Sequence, residues 1–167
     1  MPHDHRCRLT TKDFNILQAM LEERRERNDP LVPLLREKLA MATVLPPQAV
    51  PADLVTLYSR VRYSIGGSPA TTRIVIHDDA HGVVGATLPV TTPRGLALLG
   101  LAKHARATLR GRDGLAETVH VEDIVYQPQA SRWLPSTADS AGGADGEARP
   151  SGRRPASAAA AAPAPRG

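Results

Sequence analysis

The sequence predicts an α+β fold: an N-terminal antiparallel helical hairpin, in effect a short coiled coil, then an antiparallel sheet domain with one short helix, then a disordered C-terminal tail. Three observations carry this expectation. Apolar residues recur at helical spacing as far as Ala42, the period shortens to two beyond Val50, and after Leu134 there is no Val, Ile, Leu, Met, Phe, Tyr or Trp at all. A chain of 167 residues holds one ordinary domain with appendages.

The first eight residues, M-P-H-D-H-R-C-R, show no apolar pattern and are expected to be disordered. The hairpin is placed at residues 9–45. Thr10 is the expected N-cap of its first helix, with Asp13 three residues on as a short-armed capping-box partner and an acid near the positive end of the dipole. Phe14, Leu17 and Leu21 then follow at helical spacing, Ile16 and Met20 widen the stripe, and E-E-R-R-E-R from Glu22 to Arg27 is a solvated end. Asn28-Asp29-Pro30 reads as a turn. Leu31, Leu34, Leu35, Leu39 and Ala42 share one face of the second helix, Pro33 fits its first turn, and Pro46-Pro47 ends it. Two amphipathic helices joined this tightly are expected to pack antiparallel.

The sheet domain is placed at residues 50–130. Val61, Tyr63 and Ile65 alternate with Arg60, Arg62 and Ser64, and Gly66-Gly67-Ser68-Pro69 breaks the strand. Further strands are expected at 72–77, 83–90, 105–110 and 115–126, the last two joined by Gly111-Arg112-Asp113-Gly114. Short strands bounded by turns predict a mostly antiparallel sheet, and a helix at 96–101 is expected to cover its apolar face. Residues 131–167 cannot bury enough apolar surface to offset their ordering entropy, and the run Ala158 to Ala162 is too short to hold a helix.

Charge is nearly even. Residues 1–130 carry 16 Lys and Arg against 14 Asp and Glu, and the tail adds five Arg against three acids. That balance argues against a basic footprint and leaves only weak DNA binding as an expectation, with nucleic acid met indirectly. A single cysteine, Cys7, excludes an intramolecular disulfide. No apolar run approaches a membrane span and the N-terminus lacks a signal-peptide core, so a soluble cytoplasmic protein without membrane contact is expected, as a monomer.

Thr91 to Leu101, T-T-P-R-G-L-A-L-L-G-L, reads as a strand end, a sharp turn and a short helix. Thr92 is a plausible N-cap, Pro93 suits either a turn or the first helical position, Gly95 allows close backbone approach, and Gly100 can take the left-handed conformation that ends a helix. Upstream lies V-P-A-D-L-V-T-L-Y-S-R-V from Val50, downstream V-H-V-E-D-I-V-Y-Q-P from Val119. In this order the three segments resemble the nucleoside diphosphate kinase regulator family, relatives of the bacterial Gre transcript cleavage factors. Their shared C-terminal domain carries a V-x-x-x-S-P-x-G-x-A-L-L-G core, an upstream V-T-x-x-S-x-V strand and a final V-x-Y-Q-P. The match covers residues 9–130. Thr92 stands where the family has Ser, Pro89 falls inside the preceding strand, and His104-Ala105 replaces a Gly-Asp turn.

The resemblance implies an FKBP-like sheet domain and a non-enzymatic, transcription-linked regulator that binds RNA polymerase near its secondary channel. It implies docking through Thr91, Thr92, Pro93 and Arg94. The alternative it offers is a cleavage or elongation factor acting through the hairpin tip, Arg27, Asn28 and Asp29. Helices of about 17 residues give an arm of roughly 25 Å, short of the reach that the longer relatives need, and Asp29 stands alone where shared metal binding calls for a positioned pair. Turn chemistry is the competing reading of Asp29-Pro30. An FKBP-like domain also raises peptidyl-prolyl isomerisation, but a proline pocket needs aromatic walls and the chain is 3% aromatic.

No catalytic residue, metal or cofactor is assigned. His3, His5 and Cys7 alternate, but Pro2 lacks the amide that an N-terminal copper site requires. His77, Asp78, Asp79 and His81, followed by Gly82, read as a polar loop. No nucleophile elbow, Cys-His pair or phosphate-cradling glycine loop is present.

Overall fold

A computed structural model describes residues 7–78, 83–110 and 113–133. Strand β1 (Arg8–Thr10) leads into helix α1 (Thr11–Arg24), which is followed by α2 (Leu31–Met41) and β2 (Thr43–Leu45). A single 3-10 turn, Pro47–Ala49, precedes β3 (Arg60–Ile65) and β4 (Thr71–Ile76). Then come β5 (Thr87–Pro89), α3 (Pro93–Leu98), β6 (Arg106–Arg110), β7 (Ala116–Tyr126) and α4 (Pro128–Trp133). The mixed α+β expectation holds. Among the described residues no helix is long and apolar enough to cross a membrane.

Helix α1 starts where its capping signal lies: the Asp13 N–H donates to Thr10 Oγ1 at 3.0 Å. The base of the arm holds what the sequence did not disclose. β1 and β2 pair in parallel, Arg8 opposite Thr43 and Thr10 opposite Leu45, so the start of α1 and the end of α2 are fastened side by side. Cys7 is already buried and its carbonyl accepts the Thr43 N–H at 2.8 Å. Ordered chain therefore begins before residue 9, a correction to the expected disordered start, and His3 and His5 lie outside the described residues. The helices have 14 and 11 residues, about 21 and 17 Å at 1.5 Å per residue, shorter than the sequence implied.

The five-stranded sheet has the order β5-β4-β3-β7-β6. β3 pairs antiparallel with β4 and β7, and β7 pairs antiparallel with β6. The exception is β5, which runs parallel to β4. The long strand expected at 83–90 shrinks to Thr87–Pro89, with Val83 and Val84 exposed: a Val pair outside any ladder has no face to bury, and alternation alone misreads it. Pro89 is tolerated because β5 is an edge strand. The loop reading of 77–82 falls partly outside the described residues, as do Gly111, Arg112 and the tail from 134 onward. Helix α4 crosses the boundary expected at 130.

One core joins arm and sheet. Leu9, Leu17, Met20, Leu31 and Leu35 belong to the same buried cluster as Val61, Tyr63, Val75, Leu96, Leu98, Leu99, Val119 and Val121. Burying a leucine side chain contributes about 1.5–3 kcal/mol, so the arm is held at its base by the same force that holds the sheet. Asp13 sits at that junction with 1% exposure. The Leu57 N–H donates to its Oδ2 at 3.4 Å, while Oδ1 finds no hydrogen-bond partner. Burial pushes its carboxyl up from 3.8 to about 6, against the Leu57 N–H, Thr10 and Lys12, which pull it down.

Candidate partner-binding turn and arm tip

The turn at 91–94 is built by its own side chains. Thr92 Oγ1 accepts the Gly95 N–H at 3.2 Å and donates to the Pro89 carbonyl at 2.7 Å, so it caps α3 and ties it to β5. A hydroxyl is what the position requires, which explains how Thr stands in for Ser. Pro93 occupies the first turn of α3. Gly95 is obligatory: an added Cβ would lie 2.0 Å from the Pro89 carbonyl oxygen. Gly100 has φ +80° and an added Cβ there would come within 2.8 Å of the Arg8 carbonyl, so the helix end and β1 require its missing side chain together.

Arg94 does not stand free. Its Nε and Nη2 reach both carboxylate oxygens of Glu117 on β7 at 2.9 and 2.6 Å, and the guanidinium holds the Glu117 carboxyl below its usual range. The pair is roughly half exposed. It presents a charge-paired fork at the turn that the resemblance assigns to docking.

Beside the turn lies a cleft of about 170 Å³ between α2, α3 and β6, lined by Cys7, Leu34, Lys38, Met41 and Pro93 among others. Lys38 reaches across it to the Ala97 carbonyl at 3.4 Å, and burial pulls its ammonium below the usual lysine range, opposed by Cys7. Met41 is 57% exposed at the rim. No residue lining this cleft is aromatic. Tyr63 is buried, and Tyr58 and Tyr126 are exposed. Sequence reasoning missed the cleft because α2 and α3 are about 50 residues apart in the chain and meet only through tertiary packing in the shared core.

The arm tip brings Arg27, Asn28 and Asp29 into one turn. Asn28 takes the left-handed conformation, φ 49°, which Asn tolerates better than most residues. Asp29 Oδ1 accepts the Leu31 N–H at 2.8 Å and Oδ2 accepts from Arg24 at 2.5 Å. One oxygen thus serves the start of α2 and the other the end of α1. Among the described residues no group of three His, Cys, Asp or Glu side chains is placed to hold a metal ion.

The three sequence motifs turn out to be the joints of the fold. Val55 N–H donates to the Leu101 carbonyl and Gly100 N–H to the Val55 carbonyl, both at 2.8 Å, fastening the first motif to the second. Buried Gln127 donates to the Pro51 and Leu54 carbonyls at 2.7 and 3.2 Å, fastening the third to the first. Buried Thr56 and Ser59 share a hydroxyl contact of 2.9 Å. His104 takes the left-handed conformation, φ 67°.

No protein-family model matches the chain. It is 27% identical over 120 residues to the regulator of nucleoside diphosphate kinase of Escherichia coli strain K12, a match covering 71% of this chain and 88% of that protein. The regulator of nucleoside diphosphate kinase of Shigella flexneri matches to the same extent. Among solved structures, a prokaryotic transcription elongation factor GreA/GreB from Nitrosomonas europaea superposes with a TM-score of 0.58 at 24% identity, over 72% of this chain and 100% of that one. The chain is therefore a sequence relative of the regulators of nucleoside diphosphate kinase, and it shares its fold with a GreA/GreB elongation factor.

Proposed function

We propose that this protein is a transcription-associated regulator that binds RNA polymerase near the secondary channel and performs no chemistry of its own. The similarity to the E. coli regulator over 120 residues supports the regulatory reading. The observation that separates regulator from cleavage factor is the state of Asp29, whose two oxygens already serve Leu31 and Arg24 at the end of an arm only about 21 Å long. Residues 9–45 act as a helical hairpin that docks at the channel mouth, and residues 50–130, an FKBP-like domain, provide the anchoring surface around Thr91, Thr92, Pro93 and Arg94. Arg27, Asn28 and Asp29 form a tip that approaches the polymerase without delivering a metal ligand.

The test is a backtracked elongation complex with Mg²⁺. Saturating protein is expected to leave transcript cleavage unstimulated and to reduce the cleavage that an added Gre factor produces, since two ligands for one site exclude each other by mass action. Asp29→Ala should leave that competition unchanged. Cleavage stimulated by this protein and lost in Asp29→Ala overturns the reading in favour of a cleavage factor, and failure to compete at any concentration removes the secondary channel as its site.

A further inference from the structure

The near balance of charge along the sequence conceals how the strands sort it. On β3 the exposed residues are Arg60 and Arg62, on β6 Arg106, Thr108 and Arg110, while Val61, Tyr63 and Leu109 turn into the core. Register assembles these outward positions into one face, because directly opposite residues in antiparallel pairs share a side. Arg106 lies opposite His120, which lies opposite Ser64. Thr108 lies opposite Thr118, Arg62 between Asp123 and Thr72, and Arg60 between Tyr126 and Ile74. From Arg110 through Arg106 and Arg62 to Arg60 the guanidiniums trace a diagonal of roughly 28 Å, taking about 3.3 Å per residue along strands and 4.8 Å between them.

Two acids stand beside Arg62: Glu122 approaches it at 3.6 Å, and Asp123, opposite it in the register, is held by Lys103 at 2.7 Å. Among the described residues Arg60, Arg106 and Arg110 have no acid within ion-pair distance. Between the arginines stand small hydroxyl side chains, a histidine and a tyrosine, Tyr126, that is half exposed beside Arg60.

We propose that this outer sheet face binds single-stranded nucleic acid, with Arg60, Arg62, Arg106 and Arg110 on phosphates and Tyr126 and His120 offering surfaces on which bases stack. The arginines spread across the face of a five-stranded sheet, a surface broader than the helix or two-stranded ribbon that the major groove of a duplex admits. Arginine, hydroxyl and aromatic groups interleaved on an open surface fit a strand whose bases are unpaired. Polymerase binding is not needed for this reading.

The experiment measures fluorescence anisotropy of a labelled mixed-sequence RNA of about 20 nucleotides, its DNA counterpart, and the matching duplex, with full-length protein at several salt concentrations. Arg60→Gln/Arg106→Gln is expected to weaken single-strand binding tenfold or more and to reduce the salt slope by about 1.4, at 0.7 per lost phosphate contact. Tyr126→Ala should cost about fivefold or more on the single strand and leave heparin binding unchanged. Arg94→Gln and the tail variant Arg153→Gln/Arg154→Gln should change affinity less than twofold. Arg110→Gln, at the end of the edge strand, gives a second readout if the double variant melts early. The proposal is overturned by absence of binding at about 50 mM salt, by loss in the tail variant alone, by duplex binding as tight as single strand, or by indifference to Tyr126→Ala.

Discussion

Replacing Asp13 with Asn tests the energetics at the base of the arm. The carboxyl titrates near 3.8 when unfolded and near 6 in the fold, with desolvation the largest cause, so the folded state prefers the neutral form. The sign follows from that preference. At pH below both values the acid is protonated in each state and costs nothing; as pH rises through 3.8 toward 6 the unfolded chain ionises first and stability falls. Two pKa units correspond to about 3 kcal/mol, complete above about pH 6. Asn keeps the shape and an acceptor for the Leu57 N–H but does not titrate. Loss of an acid near the helix N-terminus returns about 0.3–1 kcal/mol of this. Urea titrations of both proteins at about pH 4.5 and pH 7.5 are compared as a difference, which cancels every other titrating group. The variant should gain about 2 kcal/mol on the parent between the two conditions. A difference that is flat with pH, or one that favours the parent at the higher pH, refutes the buried-acid account and means that Asp13 has a compensating partner when ionised.

Three further outcomes follow from packing and pairing. Leu99→Ala, at a site with no exposure, should destabilise by about 2–5 kcal/mol in denaturant titration. Gly95→Ala should exceed the usual single-substitution cost of about 0.5–3 kcal/mol, because its Cβ meets backbone at 2.0 Å; a normal melting temperature would show that β5 yields easily. Arg94→Glu opposes two carboxylates at an exposed site and should cost under about 1 kcal/mol, while Arg94→Glu/Glu117→Arg restores the pair. If the turn contacts polymerase, competition with a Gre factor stays lost in the swapped protein, and its recovery there makes the turn purely structural.

What could be read from the residues was local. Thr10 and Thr92 announced the helix starts that they cap, Gly95 the close approach that it permits, Gly100 the left-handed residue past the helix end, and the leucines of 96–101 the face that they bury. What escaped was long-range. β1 and β2 have three residues each and pair across 35 positions, too short for any period to show. The parallel β4–β5 ladder left no trace in a stretch where Val83 and Val84 mimic a strand. Arg94 and Glu117 are 23 residues apart, and no count of charges foretells that they neutralise each other. The basic face was hidden for the opposite reason: Arg60, Arg62, Arg106 and Arg110 are evident one by one, and only register places them together.

The parallel clasp between Arg8–Thr10 and Thr43–Leu45 has a consequence for how such a molecule is altered. It fixes the two points where the chain leaves the body and returns, side by side, whatever lies between them. Loop closure grows only as the logarithm of length, about 0.6 kcal/mol per doubling. Whole helical turns added in matched pairs beyond Met20 and before Leu31 would carry the tip outward by about 5.4 Å each, without disturbing a core contact below them. Reach is thus an adjustable dimension of this architecture, separable from the surface that anchors it, and a series of lengthened arms on one unchanged body would measure how the reach of the tip bears on the proposed polymerase binding.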